Sequence, residues 1–384
     1  MKQEMTSYLS TIQSEIRSLC EYLYNNPEES YKEKNSSNYI CNLLQNHNFI
    51  INTDYMNIPN SFIAQKGNGH PKICYLCEYD SVQNYGHITG HNALTSISVS
   101  ASIALGLTVE KLQKGSVILI GCPGEYLGGT KNILVKQNAF EDIDVVMECH
   151  PYISTHSSGT SQSISALKII YKSNHGLAFL NEHTFTSLDA LQLTLNILNS
   201  ISKSFSHDVT INYVITKGGT SPSIIPEECE AQVYIRSSSS IITTYIEDKV
   251  RNITSYVQSL TGVNSDIYLY EPPSEELITN KTLDRLFCHN LKETGIIDIN
   301  SPININSGLS IGIVSKVVPC IHPYIQISSN SETEYGTTDF AKCTLTDYAY
   351  KQIEKSALAL AFTGYDIIQK DSLLNEIRTE FYCK

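Results

Sequence analysis

The chain of 384 residues reads as an α/β protein, an open sheet with helices on its faces, interrupted by a smaller α+β insert. Three observations predict this. Apolar runs of the buried, parallel-sheet kind occur at Ile73–Cys77, Ser116–Cys122 and Val145–Cys149, and segments of helical period separate them. Each run leads into polar residues, Glu78-Tyr79-Asp80, Pro123-Gly124-Glu125 and His150-Pro151, and open α/β sheets place their sites at such carboxyl ends. From about Ser165 the pattern becomes strand-helix-strand-strand-helix-strand, until Glu271-Pro272-Pro273 punctuates it and α/β texture returns. The expected division is a main domain of residues 1–165 and 277–384, with residues 166–276 inserted.

Taken in order, residues 7–24 and 34–47 carry apolar positions at helical spacing (Leu9, Ile12, Ile16, Leu19, Leu23; Tyr39, Ile40, Leu43, Leu44), with a turn at Asn25-Asn26-Pro27 between them. Phe49–Ile51 and Ser61–Ala64 are short strand candidates. Asn92 is placed to cap a helix through Ile97, Ala101, Ile103 and Leu105. The Ser116–Cys122 strand ends at Pro123–Gly129, and a helix through Ile133 and Leu134 follows. In the insert, Ala166–Tyr171, Val209–Thr216, Glu230–Arg236 and Ile267–Leu269 read as strands, and Leu188–Ile201 and Thr243–Leu260 as helices. Gly218-Gly219 is a turn; no strand, Gly-rich loop and helix have nucleotide-binding spacing. Val314–Ile321 reads as a strand ending at His322-Pro323, before a C-terminal helix through Ile353, Leu358, Leu360 and Phe362.

Composition narrows the function. Hydrophobic residues at 41% and charged residues at 17% describe a soluble globular protein. A net charge of -12 argues against a nucleic-acid or anionic-membrane surface. Met1-Lys2-Gln3-Glu4 does not open a signal peptide, and no apolar run approaches the roughly 18 residues of a membrane span. The 11 cysteines lie mostly inside apolar strands and are expected to be reduced core thiols in a cytoplasm. Cys74 and Cys77 have redox-motif spacing, but a strand would bury them or point them to opposite faces.

The polar residues at strand ends are Asp80, His87, His91, Glu125, His150 and His322. Gly86-His87-Ile88-Thr89-Gly90-His91-Asn92 places imidazoles in a glycine-flanked turn behind a buried strand. Several imidazoles with one carboxylate form the ligand and general-base set of a metal-dependent hydrolase. Glu125, flanked by Pro123-Gly124 and Gly128-Gly129, is better explained by a site than by helix chemistry. His87 reads as a loop or supporting residue, and His156, His183 and His207 as surface residues.

These motifs resemble the M20 family of metallopeptidases and amidohydrolases, in the branch of aminobenzoyl-glutamate hydrolase subunits, N-acyl-amino-acid amidohydrolases and the M20 domain-containing protein 2 type of dipeptidase. Tyr24-Asn25-Asn26-Pro27-Glu28 with Glu33, Glu78-Tyr79-Asp80 with Gly86–Asn92, Pro123–Tyr126 with Gly128–Lys131, His150-Pro151, Gly218-Gly219 with Ile225-Pro226-Glu227, Arg236 and Ile321–Tyr324 follow in family order over nearly the whole chain. The resemblance implies a Zn-peptidase-like catalytic domain with an inserted lid of ferredoxin-like topology that often mediates homodimers. It implies that His91 and His150 bind one metal and His322 the other, with Asp80 behind the ligands and Glu125 as general base. His175 looks like the lid histidine that polarises the scissile carbonyl across a dimer, and Arg236 like the holder of the substrate carboxylate.

The chain also departs from that pattern. Thr89 stands where the family has a cysteine bridging two metals, and Tyr126 where it has a glutamate ligand. Ser223 replaces an asparagine, and Ser310 an aspartate. A hydroxyl and a phenol are poor ligands near neutral pH, which argues against a dinuclear centre and for one divalent metal (Zn or Mn) or none. Thr89, Tyr126 and Ser223 become candidates for substrate contact beside Arg236. The expected substrate is a small amide, an N-acyl amino acid or a dipeptide-like molecule. Three readings stay open. One is a one-metal hydrolase. The second is a metal-free enzyme with altered chemistry, such as acyl transfer or amide formation. The third is a catalytically silent binding subunit.

Overall fold

The computed structural model describes residues 1–180 and 184–383, so His183 lies outside the described residues. The chain divides into two compact units, one of residues 1–160, 277–304 and 313–384, the other of residues 161–276 and 305–312.

The first unit is built on a six-stranded mixed sheet of order β1 (Ile50–Thr53), β2 (Phe62–Gly67), β4 (Ser116–Cys122), β3 (Lys72–Glu78), β5 (Val145–Met147), β13 (Cys320–Ile321). β4, β3, β5 and β13 run parallel, while β1 and β2 form an antiparallel margin on β4. β3 and β4 are buried nearly end to end, as their unbroken apolar sequence requires. Beside this sheet, β6 (His150–Tyr152) and β14 (Tyr324–Gln326) pair in parallel. The helices of the unit are α1 (Lys2–Thr11), α2 (Gln13–Asn25), α3 (Lys34–Asn46), α4 (His91–Leu112), α5 (Lys131–Lys136), α8 (Lys281–Glu293), α10 (Thr338–Cys343), α11 (Asp347–Gln369) and α12 (Asp371–Tyr382).

α4 is the central helix, packed on β3, β4, α2 and α11. It is long and apolar enough to cross a membrane, unlike any run expected from the sequence, yet it is buried along almost its whole length within the unit. Its hydroxyl residues explain the moderate hydropathy, and those from Thr95 to Ser102 are satisfied. Thr95 and Ser98 donate to the Glu78 and Leu76 carbonyls at 2.5 and 2.6 Å, and Ser96, Ser100 and Ser102 bond back to their own helix. Small hydroxyl side chains let the helix lie close on the strand that carries Glu78.

Three sequence expectations change. Asn92 does not cap α4: the cap position is Gly90, and Asn92 lies inside the first turn with its Nδ2 donating to Thr344 Oγ1 at 2.9 Å. Residues 7–24 form two helices, broken at Ile12, whose N–H reaches back to the Leu9 carbonyl. The run expected as a strand from Val314 to Ile321 is instead a helical turn, α9 (Ile311–Val314), a bend, and the two strand residues Cys320-Ile321. A short buried apolar run carries no period that separates the two states.

The second unit is a four-stranded antiparallel sheet of order β12 (Asn264–Leu269), β7 (Ser163–Lys172), β11 (Glu228–Ser237), β9 (Thr210–Lys217), with helices α6 (Ser187–Ser202) and α7 (Ser240–Thr261) on one face. In chain order that is 4-1-3-2, the ferredoxin-like arrangement. β11 alternates strictly: Cys229, Ala231, Val233 and Ile235 pack under the helices, while Glu230, Gln232, Tyr234 and Arg236 face away. A capping box of Thr186 and Asp189 starts α6. A small ladder of β8 (Gly176–Leu177) and β10 (Ile224–Ile225) lies beside the sheet.

Candidate active site

The parallel register of the first unit brings several strand ends level. Glu78 closes β3 opposite Cys122 of β4, after which Pro123-Gly124-Glu125 turns away. Met147 of β5 pairs with Tyr75 and with Ile321, so Glu148 and His150 follow on one side and His322 on the other. The N–H groups of Glu148 and His150 donate to the Ile321 and Pro323 carbonyls at 3.2 and 2.9 Å, tying the two imidazole segments together. Gly90, at φ +84°, begins α4, and a Cβ there would come within 2.9 Å of Pro151. Glycine thus lets His91 dock at the His150-Pro151 strand.

His91 is buried between two carboxylates, its Nδ1 2.8 Å from Asp80 and its Nε2 3.1 Å from Glu78. Burial alone would lower its basicity, but the Asp80 hydrogen bond and the charges of Glu78, Asp80 and Glu125 raise it to about 9. Asp80 in turn accepts from Ser30 Oγ at 2.7 Å and the Tyr126 N–H at 3.0 Å, so this buried carboxylate is held on both oxygens. His150 donates Nδ1–H to the Pro151 carbonyl at 2.8 Å, leaving Nε2 for the interior. Donor atoms of Glu78, His91 and His150 lie within 4.8 Å of one another and could hold a metal ion. His322 stands one step out, its ring 5.4 Å from His150 and its Nε2 3.8 Å from Glu148. Burial lowers both, His150 to about 4 and His322 to about 3, and the neighbouring imidazole charge adds to it. His87 is buried apart from this group, its Nε2 donating to the Leu23 carbonyl at 3.0 Å.

Lys131, the first residue of α5, is fully buried, and carboxylates converge on its ammonium. Nζ forms a short ion pair with Glu78 and lies 3.3 Å from Glu125 and 3.4 Å from Glu148. Burial lowers its basicity, yet Glu125, Glu148 and Glu78 together raise it well above the usual range. Burial opposes ionisation of Glu78 too, but Lys131, His91 and His150 hold its carboxyl far below the ordinary value. Glu148 goes the other way, pushed well up by burial and by the charge of Glu78. Of this adjacent pair, Glu78 is the anion and Glu148 the acid.

Glu125 sits in a left-handed turn: Gly124 has φ +81°, and the Glu125 carboxyl lies over Gly129, where a Cβ would be 2.7 Å from it. Glu33 is buried behind this loop and accepts the Gly124 N–H at 2.7 Å; burial pushes its carboxyl up to about 7. Thr89 and Tyr126 hydrogen-bond each other through a short O–H···O contact. The Tyr126 ring stacks on His91 at 4.7 Å, and burial drives the phenol far above its normal range. Tyr152, Tyr324 and Tyr335 form an aromatic wall around His150, with ring separations of 4.9 to 6.2 Å.

Comparison with known proteins decides the family. The peptidase dimerisation domain of the M20 peptidases matches residues 153–259. The mouse Xaa-Arg dipeptidase is 30% identical over 82% of this chain and 74% of its own length. The chain belongs to the M20 family. One of the subunits of the Escherichia coli p-aminobenzoyl-glutamate hydrolase is 27% identical, over 74% of this chain and 63% of its own length. Among solved structures, an aminobenzoyl-glutamate utilization protein from Klebsiella pneumoniae has a TM-score of 0.69 at 11% identity, covering 92% of this chain and 97% of that one. A dinuclear metal-binding M20 peptidase from Bacillus subtilis has a TM-score of 0.64 at 13% identity, covering 92% and 99%. At these identities the structures establish the fold.

Within this M20 chain, Asp80, Thr89, His91, Glu125, Tyr126, His150 and His322 all fall in the first unit, in the cluster just described. His175, Ser223 and Arg236 fall in the second. β8 and β10 bring the first two together: Ala178 N donates to the Ser223 carbonyl at 3.0 Å, and His175 precedes the ladder residue Gly176. His175 is exposed and lines a concavity of about 350 Å³ with Gly218, Gly219, Pro226 and Glu227. Arg236 lies with its guanidinium 5.6 Å from the Tyr234 ring, and its Nε has no hydrogen-bond partner among the described residues. His207 is exposed; His156 is half-buried, its ring nitrogens bonded to Ser154 and the Ser301 carbonyl. Sequence reasoning passed over Glu78, Lys131 and Glu148. Glu78 was visible as the acidic end of a buried strand. Lys131 and Glu148 carried a weaker signal, a charge inside an apolar helix start and a charge inside an apolar strand.

Proposed function

We propose that the chain is an M20-type amidohydrolase that cleaves the amide bond of a dipeptide or N-acyl amino acid, with Glu125 as general base and a site depleted to a single divalent cation. The observation that carries this reading is the buried trio Glu78, His91 and His150, with Glu125 sharing the Lys131 ammonium with Glu78. The donor chemistry fits one ion. It does not fit two: the hydroxyls of Thr89 and Tyr126 engage each other, and neither is an anion near neutral pH. Glu78, His91 and His150 would hold the cation, Zn or Mn, and when bound it supplies Lewis acidity toward the amide carbonyl. Asp80 fixes the orientation of His91, as a carboxylate behind a metal-binding imidazole does. Glu125 takes the proton of the attacking water and returns it to the leaving amine.

The two named relatives act, by name, on a dipeptide and on an aminobenzoyl-glutamate, each an amide of an amino acid. Arg236, with a guanidinium nitrogen unpaired among the described residues, suits the carboxylate of such a substrate, and His175 its carbonyl. The dimerisation domain supports a homodimer, and cysteines that are all unpaired suit a reducing, cytoplasmic setting.

A panel of dipeptides and N-acyl amino acids, assayed after chelation and after adding back Zn or Mn, tests the proposal. Turnover should appear with metal, and Glu125→Gln should reduce kcat by about 10²- to 10⁴-fold. Full activity in Glu125→Gln, or no amide turned over under any metal condition, would sink it. One observation favours the second reading, a metal-free enzyme: Lys131 already neutralises Glu78. Turnover that persists unchanged in chelator while still needing Glu125 would select that reading.

A further inference from the structure

We infer that the Lys131 ammonium is the second cation of this site, a positive charge fixed in the fold that competes with a divalent ion for Glu78. The inference rests on the one-metal reading above and gives Lys131 a role toward the ion itself. Three carboxylates, Glu78, Glu125 and Glu148, lie at ion-pair distance from one Nζ that is wholly buried. A buried ammonium at a helix start is otherwise costly, and it is stable here because the anions Glu78 and Glu125 lie against it, with Glu148 beside them as the acid. The positions that resemble the family's anionic ligands, Thr89 and Tyr126, are neutral and bonded to each other. Negative charge has therefore been removed from one side of the cluster, while Glu78 and Glu148 face a built-in cation on the other. Glu78 is common to both arrangements: it pairs with Lys131 through Oε1 and faces His91 through Oε2. An ion held by Glu78, His91 and His150 would share a carboxylate with the ammonium and be repelled by it. Lys131 thus limits the site to one ion and weakens its hold on that ion.

The test is metal binding and stability, read without any substrate. Zn and Mn affinity and stoichiometry are measured by calorimetry and elemental analysis on the wild type, Lys131→Arg, Lys131→Met and the double variant Lys131→Met/Glu148→Gln. Removing the charge should tighten binding by about 100-fold or more, since a nearby charge acts strongly in a dry site, while Lys131→Arg should bind as weakly as the wild type. Should Lys131→Met be unfolded when metal-free, added Zn or Mn should restore a cooperative melt. In the double variant an amide replaces the Glu148 acid and can still donate to Glu78, so the anion keeps a donor when the ammonium is gone, and a cooperative melt is expected for the titration. Equal affinity in the wild type and both charge-removal variants, or two ions bound by the wild type, would overturn the role of Lys131. Affinity is independent of turnover. A tightened Lys131→Met that accompanies no amide hydrolysis in the wild type leaves the charge role standing and removes only the functional reading.

Discussion

His87 shows how a single buried ring adds to the acid sensitivity of the protein. Its Nε2 donates to the Leu23 carbonyl, and burial, aided by the charge of His91, lowers its pKa to about 4. The unfolded chain would bind the proton near 6.5, so between about pH 6.5 and 4 it holds more protons than the native state. Stability from His87 is therefore full above about 6.5 and is lost as pH falls toward 4, by up to roughly 3 kcal/mol. Urea melts across that range should show this loss in the wild type and a shallower one in His87→Gln, whose amide still donates to Leu23. Parallel slopes would place the titration elsewhere. At this scale the sequence was informative where residue type and place agreed: His91, His150 and Glu125 stood beside glycine turns at strand ends. It was silent where the environment decides. Nothing in Glu148 itself says that it is the protonated member of a pair, and nothing in Lys131 says that its ammonium turns inward.

The turn after β4 is the element on which the candidate base depends, and it is held from behind. Gly124 adopts φ +81°, Glu33 accepts its N–H, and the Tyr31 ring lies where a Cβ would project. Gly124→Ala combines left-handed backbone cost with a collision against Tyr31, and should lower stability by about 1–3 kcal/mol. Because Glu125 is the next residue, kcat should fall further than the stability loss explains; unaltered kcat would show that the turn does not position the carboxyl. Strands of this unit were legible because parallel, doubly buried strands are written as unbroken apolar runs. Cys320-Ile321 was not, since two strand residues behind a helical turn leave no period to detect.

For the molecule as a whole, the second unit bears on assembly. β9 is an outer strand of its sheet and carries Tyr213, Val214 and Ile215 at 40, 55 and 42% exposure. An exposed, apolar edge strand is a template for pairing with another chain unless something covers it. The unit contains most of the residues that match the peptidase dimerisation domain, so the homodimer proposed above gives this edge an occupant, a second copy of the same strand. Val214 alternates away from the helix-covered face, as its partner Gln232 does, and a lysine there would put like charges on the two copies of the pairing edge without disturbing the core. Light scattering on the eluting protein should give twice the 42.8 kDa chain mass for the wild type and the single-chain mass for Val214→Lys. If His175 serves the neighbouring subunit, activity should fall with the dimer, and mixing Val214→Lys with wild type should not restore it. A wild type that remains at 42.8 kDa at micromolar concentration would remove both the dimer and the shared site.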